Sequence, residues 1–216
     1  MNKLVFLGDS VTDCSRKRAI RFEHCEESYG NGWVAYVFRK LIANQGQVKL
    51  WNRGFSGSLI HELRNQPEWW PEEQGQVVRA SISNVFIGIN DIWHPFWKGS
   101  RHNIDKALED FRDLISLLKT RSDEIVVCEP FALPCGEVTQ QWWAPLNELS
   151  DGQLKICEEQ DVHWLGLQDQ LFNDAHGKNE EYLVDGVHPT DLGHRWLSTQ
   201  WLNFILEKDL LGKQVD

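Results

Sequence analysis

The stretch Leu4-Val5-Phe6-Leu7-Gly8-Asp9-Ser10-Val11-Thr12-Asp13 sets four apolar residues directly against a polar turn. A short, uninterrupted apolar run closed by a turn signal is the pattern of a strand buried on both faces, as in a parallel sheet. Residues 3–8 are therefore read as the first strand, with Ser10 just past its carboxyl end. Runs of the same kind predict strands at 47–52, 82–89, 124–129 and 162–167. Between them the apolar spacing becomes that of a helix. Val34, Val37, Phe38, Leu41 and Ile42 share one helical face, as do Ile104, Leu108, Phe111, Ile115 and Leu118. Residues 146–157 form a less regular helix, and a last helix after Pro189-Thr190 buries Leu197, Trp201, Phe204 and Ile205. This alternation predicts an α/β fold: a mostly parallel sheet with helices on both faces. Right-handed crossovers then bring the carboxyl ends of the strands to one edge, where ligands bind in such sheets. There is no internal repeat, low-complexity tract or Pro/Gly/Ser linker, so residues 1–216 read as one domain.

Composition narrows the function. A chain of 216 residues with 41% apolar content is large and apolar enough for a substantial core, and too apolar for disorder. A net charge of −10 argues against a nucleic-acid partner. Arg16-Lys17-Arg18 is the one dense basic run; it could face substrate, but a solvated loop is the preferred reading. The five cysteines (14, 25, 128, 135 and 157) are odd in number and form no CxxC pair, which disfavours a disulfide scaffold or a zinc site. Residues 1–7 carry too short an apolar run for a signal peptide, and no segment has the length of a membrane span. A soluble, cytoplasmic protein with no membrane contact, no metal and no cofactor is expected.

Chemistry gathers at the predicted strand ends. Ser10 follows the first, Gly54 in Asn52-Arg53-Gly54 follows the second, and Asn90 in Gly88-Ile89-Asn90-Asp91 follows the third. Asp185-Gly186-Val187-His188-Pro189 stands near the far end of the chain. Taken singly each is weak: a turn serine, a turn glycine, an Asn-Asp turn, a loop histidine. Their joint occurrence in this order carries the signal.

Together these segments resemble the four blocks of the SGNH hydrolase family. The resemblance spans residues 8 to 189 and implies a flavodoxin-like three-layer sandwich with a five-stranded parallel sheet. Gly8-Asp9-Ser10-Val11-Thr12-Asp13-Cys14, Gly32-Trp33-Val34-Ala35-Tyr36-Val37, Gly88-Ile89-Asn90-Asp91-Ile92-Trp93 and Val187-His188-Pro189 with Gly193-His194 are similar to its intracellular acetylxylan-esterase branch. The resemblance makes Ser10 the nucleophile, His188 its general base and Asp185 the group that orients the imidazole. Ser10 N–H, Gly54 N–H and the Asn90 amide become the oxyanion hole. The chemistry is independently sound. A serine hydroxyl needs a base to take its proton, histidine titrates near neutral pH, and a carboxylate three residues away can fix its tautomer. One oxyanion donor is worth roughly 3–4 kcal/mol of barrier.

Other residues have plainer readings. Asp9 and Asp91 are read as turn residues that hold Ser10 and Asn90. His194 could pair with His188 at a metal, but no third spaced ligand is visible. His61, His94 and His176 are isolated, and Cys14 is a passive neighbour of the nucleophile turn. Among eleven tryptophans, Trp33, Trp51, Trp164, Trp196 and Trp201 are expected in the core. Trp93 and Trp97 stand in a stretch read as a loop after Asn90, where indole faces could bind sugar or wall an acyl pocket; a plain loop core is the competing reading. Trp69-Trp70 and Trp142-Trp143 could form subsites or a contact in a homo-oligomer.

The leading expectation is a serine esterase that removes acetyl groups from carbohydrate, such as acetylated xylo-oligosaccharides, through an acyl-serine intermediate. The alternative within hydrolases is a general short-chain esterase, lysophospholipase or thioesterase. From another class comes a non-catalytic sugar-binding protein.

Overall fold

The computed structural model describes residues 1–18, 24–43, 48–66 and 68–212. The chain begins with β1 (Asn2–Gly8), α1 (Ser10–Asp13), α2 (Trp33–Ala43), β2 (Val48–Gly54) and α3 (Ile60–Leu63). A two-stranded hairpin, β3 (Glu72–Glu73) and β4 (Gln76–Val77), precedes β5 (Ala80–Phe86), α4 (Ile89–Lys98) and α5 (Ile104–Lys119). Then follow β6 (Ser122–Cys128), α6 (Trp143–Gln160), β7 (His163–Leu165), α7 (Gln168–Ala175), α8 (Asn179–Tyr182) and α9 (Asp191–Glu207). The five long-range strands pair in the order β2-β1-β5-β6-β7, every pair parallel. This is the flavodoxin-like order expected, in which the chain turns back at the first strand and ligands sit beyond the strand ends.

Side chains of β1 alternate between two cores. Leu4 and Phe6 point to the face covered by α2 and α9, where Trp33, Val37, Leu197 and Trp201 are buried. Val5 and Leu7 point to the other face, with Phe111, Ile115 and Leu118 of α5 and Leu146 and Leu149 of α6. Both faces of the strand are covered, which is why its sequence reads as a continuous apolar run. Register fixes the functional edge: Gly8 lies opposite Gly54 on one side and Phe86 on the other.

Some expectations shift at their ends. The second strand runs on to Gly54, and the position 47 predicted to start it lies outside the described residues. The third ends at Phe86, because the chain turns away through Gly88 at φ +126°. The edge strand β7 keeps only three residues. Ile42, expected on the buried face of α2, is half exposed in the helix's last turn, beyond the reach of the core. The β3–β4 hairpin was not expected. Its strands carry no apolar alternation, and its Gln74-Gly75 turn has both residues at positive φ.

Candidate active site

Ser10 opens the short helix α1 immediately after β1. Asp9 caps that helix, its carboxylate accepting from Val11 N–H at 3.0 Å. The strand-to-helix turn is tight: a Cβ on Gly8 would fall 2.5 Å from Phe86 O and inside the Thr12 side chain. Burial pushes the Asp9 pKa up to about 7, against the lowering effect of the Val11 N–H.

Ser10 Oγ lies 2.8 Å from His188 Nε2, and His188 Nδ1 lies 2.6 Å from Asp185 Oδ2. A carboxylate only accepts, so the ring proton sits on Nδ1 and Nε2 is left to take the serine proton. Asp185 Oδ1 accepts in addition from the N–H groups of Val187 and His188, at 3.0 and 2.8 Å. Burial opposes ionisation of Asp185, but these N–H groups and the His188 ring outweigh it and hold its pKa below the ordinary carboxylate value. A segment absent from the sequence reading shapes this loop. Leu133 N–H donates to Gly186 O and Glu137 N–H to Asp185 O. Gly136 at φ +56° packs so closely that a Cβ there would meet the Asp185 backbone at 2.5 Å.

The Asn90 amide points into the same edge. It donates one hydrogen to Ser58 O at 3.1 Å, and the amide's second hydrogen has no protein acceptor among the described residues. Gly54 does not take the place expected of it. Its N–H is turned back onto Asn52 Oδ1 at 2.9 Å, while Asn52 Nδ2 holds Thr12 O and Tyr29 O. The glycine is needed for contact instead: a Cβ would lie 2.6 Å from Thr12 C and 2.7 Å from Asp13 Cα. Gly54→Ala is accordingly expected to cost about 2–3 kcal/mol of stability, lowering Tm by roughly 5–10 °C. A melting curve superimposable on wild type would contradict that packing. Three residues on, Gly57 has φ +80° and open space where a Cβ would stand. Its N–H meets no protein acceptor among the described residues. The loop holding it is pinned on both sides, by Ser56 N–H on Asp13 Oδ2 and by Ser58 O on Asn90. The Ser56-Gly57-Ser58 run was the available signal, since a free backbone donor beside a ligand favours a residue without Cβ.

The residues after Asn90 are helix, not loop. α4 runs through Pro95 and puts Asn90, Trp93 and Trp97 on one face at helical spacing. The Trp93 ring lies 5.4 Å from His188, its Nε1–H donating to Glu137 Oε2 at 3.1 Å. Trp97 is 74% exposed, 6.4 Å from Trp93. Trp142 is buried beneath them, stacked on Phe96, and Trp70 is buried with its Nε1–H on Val78 O, so neither forms a surface subsite.

Three other expectations change or sharpen. Arg16 is buried rather than solvated, its Nε–H donating to Gly54 O at 3.0 Å and its guanidinium lying over Phe55. Cys14 Sγ lies 3.7 Å from His194 Nε2; burial pushes the thiol up to about 12 and pulls the imidazole down to about 4, so both are neutral. Asp91, as a turn holder, accepts from Ile60 N–H at 3.1 Å. Burial, with a contribution from Asp9, raises its pKa from 3.8 to about 7. A carboxyl raised in the folded state contributes stability below its ordinary pKa, and this is lost as pH rises through about 7. Asp91→Asn keeps the accepting oxygen and should flatten the fall in urea stability across that range. Parallel profiles for variant and wild type would contradict this.

A family model of GDSL-like lipases and acylhydrolases matches residues 6–196. An acetylxylan esterase from Geobacillus stearothermophilus is 28% identical over 94% of this chain and 93% of its own length. The crystal structure of Axe2, an acetylxylan esterase from the same organism, has a TM-score of 0.77 at 27% identity over 94% of both chains. A candidate GDSL-like lipase from Parabacteroides merdae gives a TM-score of 0.83 at 27% identity, again over 94% of both. Catalytic mutants of Axe2 replace a serine, an aspartate and a histidine, the last two standing three positions apart as Asp185 and His188 do here.

Proposed function

As a member of the GDSL-like lipase/acylhydrolase family this chain is a carboxylic ester hydrolase, and we propose that it removes acetyl groups from carbohydrate through an acyl-serine intermediate. The observation that carries the mechanism is the unbroken relay from Ser10 Oγ to His188 Nε2 and from His188 Nδ1 to Asp185. Ser10 Oγ attacks the ester carbonyl carbon while His188 takes its proton. The oxyanion is received by Ser10 N–H, the Asn90 amide and Gly57 N–H, the last in place of Gly54. Collapse expels the sugar oxygen, which leaves with the proton from His188. Water, deprotonated by the same ring, then attacks the acetyl-serine; collapse breaks the bond to Ser10 Oγ, which takes the proton back from His188, and acetate leaves. The route uses no cofactor. Carbohydrate as the alcohol is supported by the acetylxylan-esterase relatives, by the Trp93 ring beside His188 and by the exposed Trp97 ring next to Trp93.

The acyl side favours acetate. Acetate is supported by the acetylxylan-esterase relatives; the interior void lined by Asp9, Val11, Phe131 and Val187 is touched by neither Ser10 nor His188 and, at about 10 Å³, offers no channel for a longer chain. A longer chain gains roughly 0.8 kcal/mol per methylene only where apolar walls receive it. Acetyl esters, and acetylated xylo-oligosaccharides in particular, are thus expected to be hydrolysed with higher kcat/KM than octanoyl esters below micellar concentration. A preference for octanoate would return the protein to the general-esterase or lysophospholipase reading. A cytoplasmic location is supported by five unpaired cysteines; no helix among the described residues is long and apolar enough to cross a membrane. Recovery of the protein outside the cell would contradict that location.

A further inference from the structure

Beyond the ester site, α3, α4 and the start of α5 line an open cavity of about 290 Å³, with Lys98, Arg101 and Lys106 exposed at its rim. Its wall carries His61, His94, Lys98, Arg101 and Lys106, with Asp91 as the acidic lining residue. Concentrating cations in one concavity is notable on a chain of net charge −10. Lys98 and Arg101 form no ion pair among the described residues, whereas Lys106 is shared with Glu109 and Asp110. Burial and the nearby Lys98 lower the His94 pKa, against Glu62, and the residue lines the same wall.

The cavity is joined to the catalytic centre by a run of rings. His188 faces Trp93 at 5.4 Å, Trp93 faces Trp97 at 6.4 Å, and Trp97 stacks on His94 at 6.1 Å with 15° between planes. Helix α4 supplies the rings between His188 and the cavity. Asn90, Trp93 and Trp97 lie on one face, while Asp91, His94 and Lys98 lie on the next, facing the cavity. A saccharide laid along the indoles from an ester at Ser10 would carry a side group toward Lys98 and Arg101.

We propose that this cavity is an anion subsite that takes the carboxylate of a uronate-type unit on the acetylated oligosaccharide. The proposal rests on the carbohydrate reading of the ester site and adds a charge requirement to it. Arg101 would grip the carboxylate through paired N–H donors, and Lys98 would supply a second charge. A free inorganic anion such as phosphate offers the same chemistry, so the experiment has to separate the two.

Two measurements on the full chain do so. In the first, kcat/KM is compared for acetylated xylo-oligosaccharides with and without a uronic-acid branch, each normalised to an aryl acetate. The acidic substrate should be preferred by roughly tenfold, in line with a charge-assisted contact, and added salt should erode the preference. The Lys98→Ala/Arg101→Ala double variant should lose it. Equal rates in the wild type, or a preference that survives in the double variant, would overturn the proposal. In the second, the ring NMR signals of His61 and His94 are followed while glucuronate or inorganic phosphate is added to the Ser10→Ala protein. Glucuronate should shift them, and should fail to do so in a protein that also carries the double substitution. A shift with phosphate alone, or with neither, would overturn the uronate assignment. If both oligosaccharides resist hydrolysis while the aryl acetate is cleaved, the carbohydrate reading fails, and the histidine signals still report on the cavity by themselves.

Discussion

Ser10→Ala is expected to leave a folded protein whose kcat for an aryl acetate is lower by about 10⁴–10⁶-fold, with His188→Ala falling into the same range. The size of the effect follows from the relay. Without Oγ there is no atom to form the acyl intermediate; without the ring, the hydroxyl 2.8 Å away keeps its proton. The losses should not multiply in the double variant, because the two groups act as one unit. Asp185→Asn should approach the same loss. Its amide would present a donor or a weaker acceptor to Nδ1, and it would weaken the brace that two backbone N–H groups now make to the carboxylate. Steady-state kinetics on purified variants, with circular dichroism to establish folding, provide the check. Near-normal turnover by Ser10→Ala would remove the nucleophile from this account.

Asn90→Ala should lower kcat by about 10²–10³-fold with little change in KM, the signature of a donor that matters more to the oxyanion than to the bound ester. A purely structural role predicts another pattern. The amide also braces Ser58 O, so a variant that merely loosened the loop would show a lower Tm and a raised KM with kcat largely retained. Measuring kcat, KM and Tm on the same preparation separates these outcomes, and an unchanged kcat would exclude Asn90 from the oxyanion hole.

Much of this architecture is legible in the chain because parallel strands covered on both faces must be apolar throughout. Leu4-Val5-Phe6-Leu7 has no polar residue to obscure its strand, and its end fixes where Ser10 stands. Asp185 and His188 were equally legible, since three residues of chain cannot carry the carboxylate far from the ring. What the sequence hid depends on direction. Gly54 sits at the right strand end, but only the folded structure reveals that its N–H turns to Asn52 while the Gly57 N–H finds no protein acceptor among the described residues. Arg16 reads as solvated because arginines usually are, yet here its guanidinium satisfies the Gly54 carbonyl and covers Phe55. Pro95 is a helix breaker by propensity, but packing of Ile92 and Phe96 against the core carries α4 through it. That override places Trp93 beside His188, a relation that a loop reading leaves open. The cradle around residues 133–138 was silent because its function is met by backbone groups, which every sequence possesses.

Stoichiometric labelling by an organophosphonate ester, followed by peptide mapping, tests directly whether Ser10 is the activated nucleophile. One label per chain is expected, on the peptide containing Ser10, with activity lost in proportion to labelling. No label is expected in Ser10→Ala and much slower labelling in His188→Ala, since the reagent demands the same activated hydroxyl. A label on another residue accompanied by loss of activity, or full activity in protein labelled at Ser10, would contradict that role.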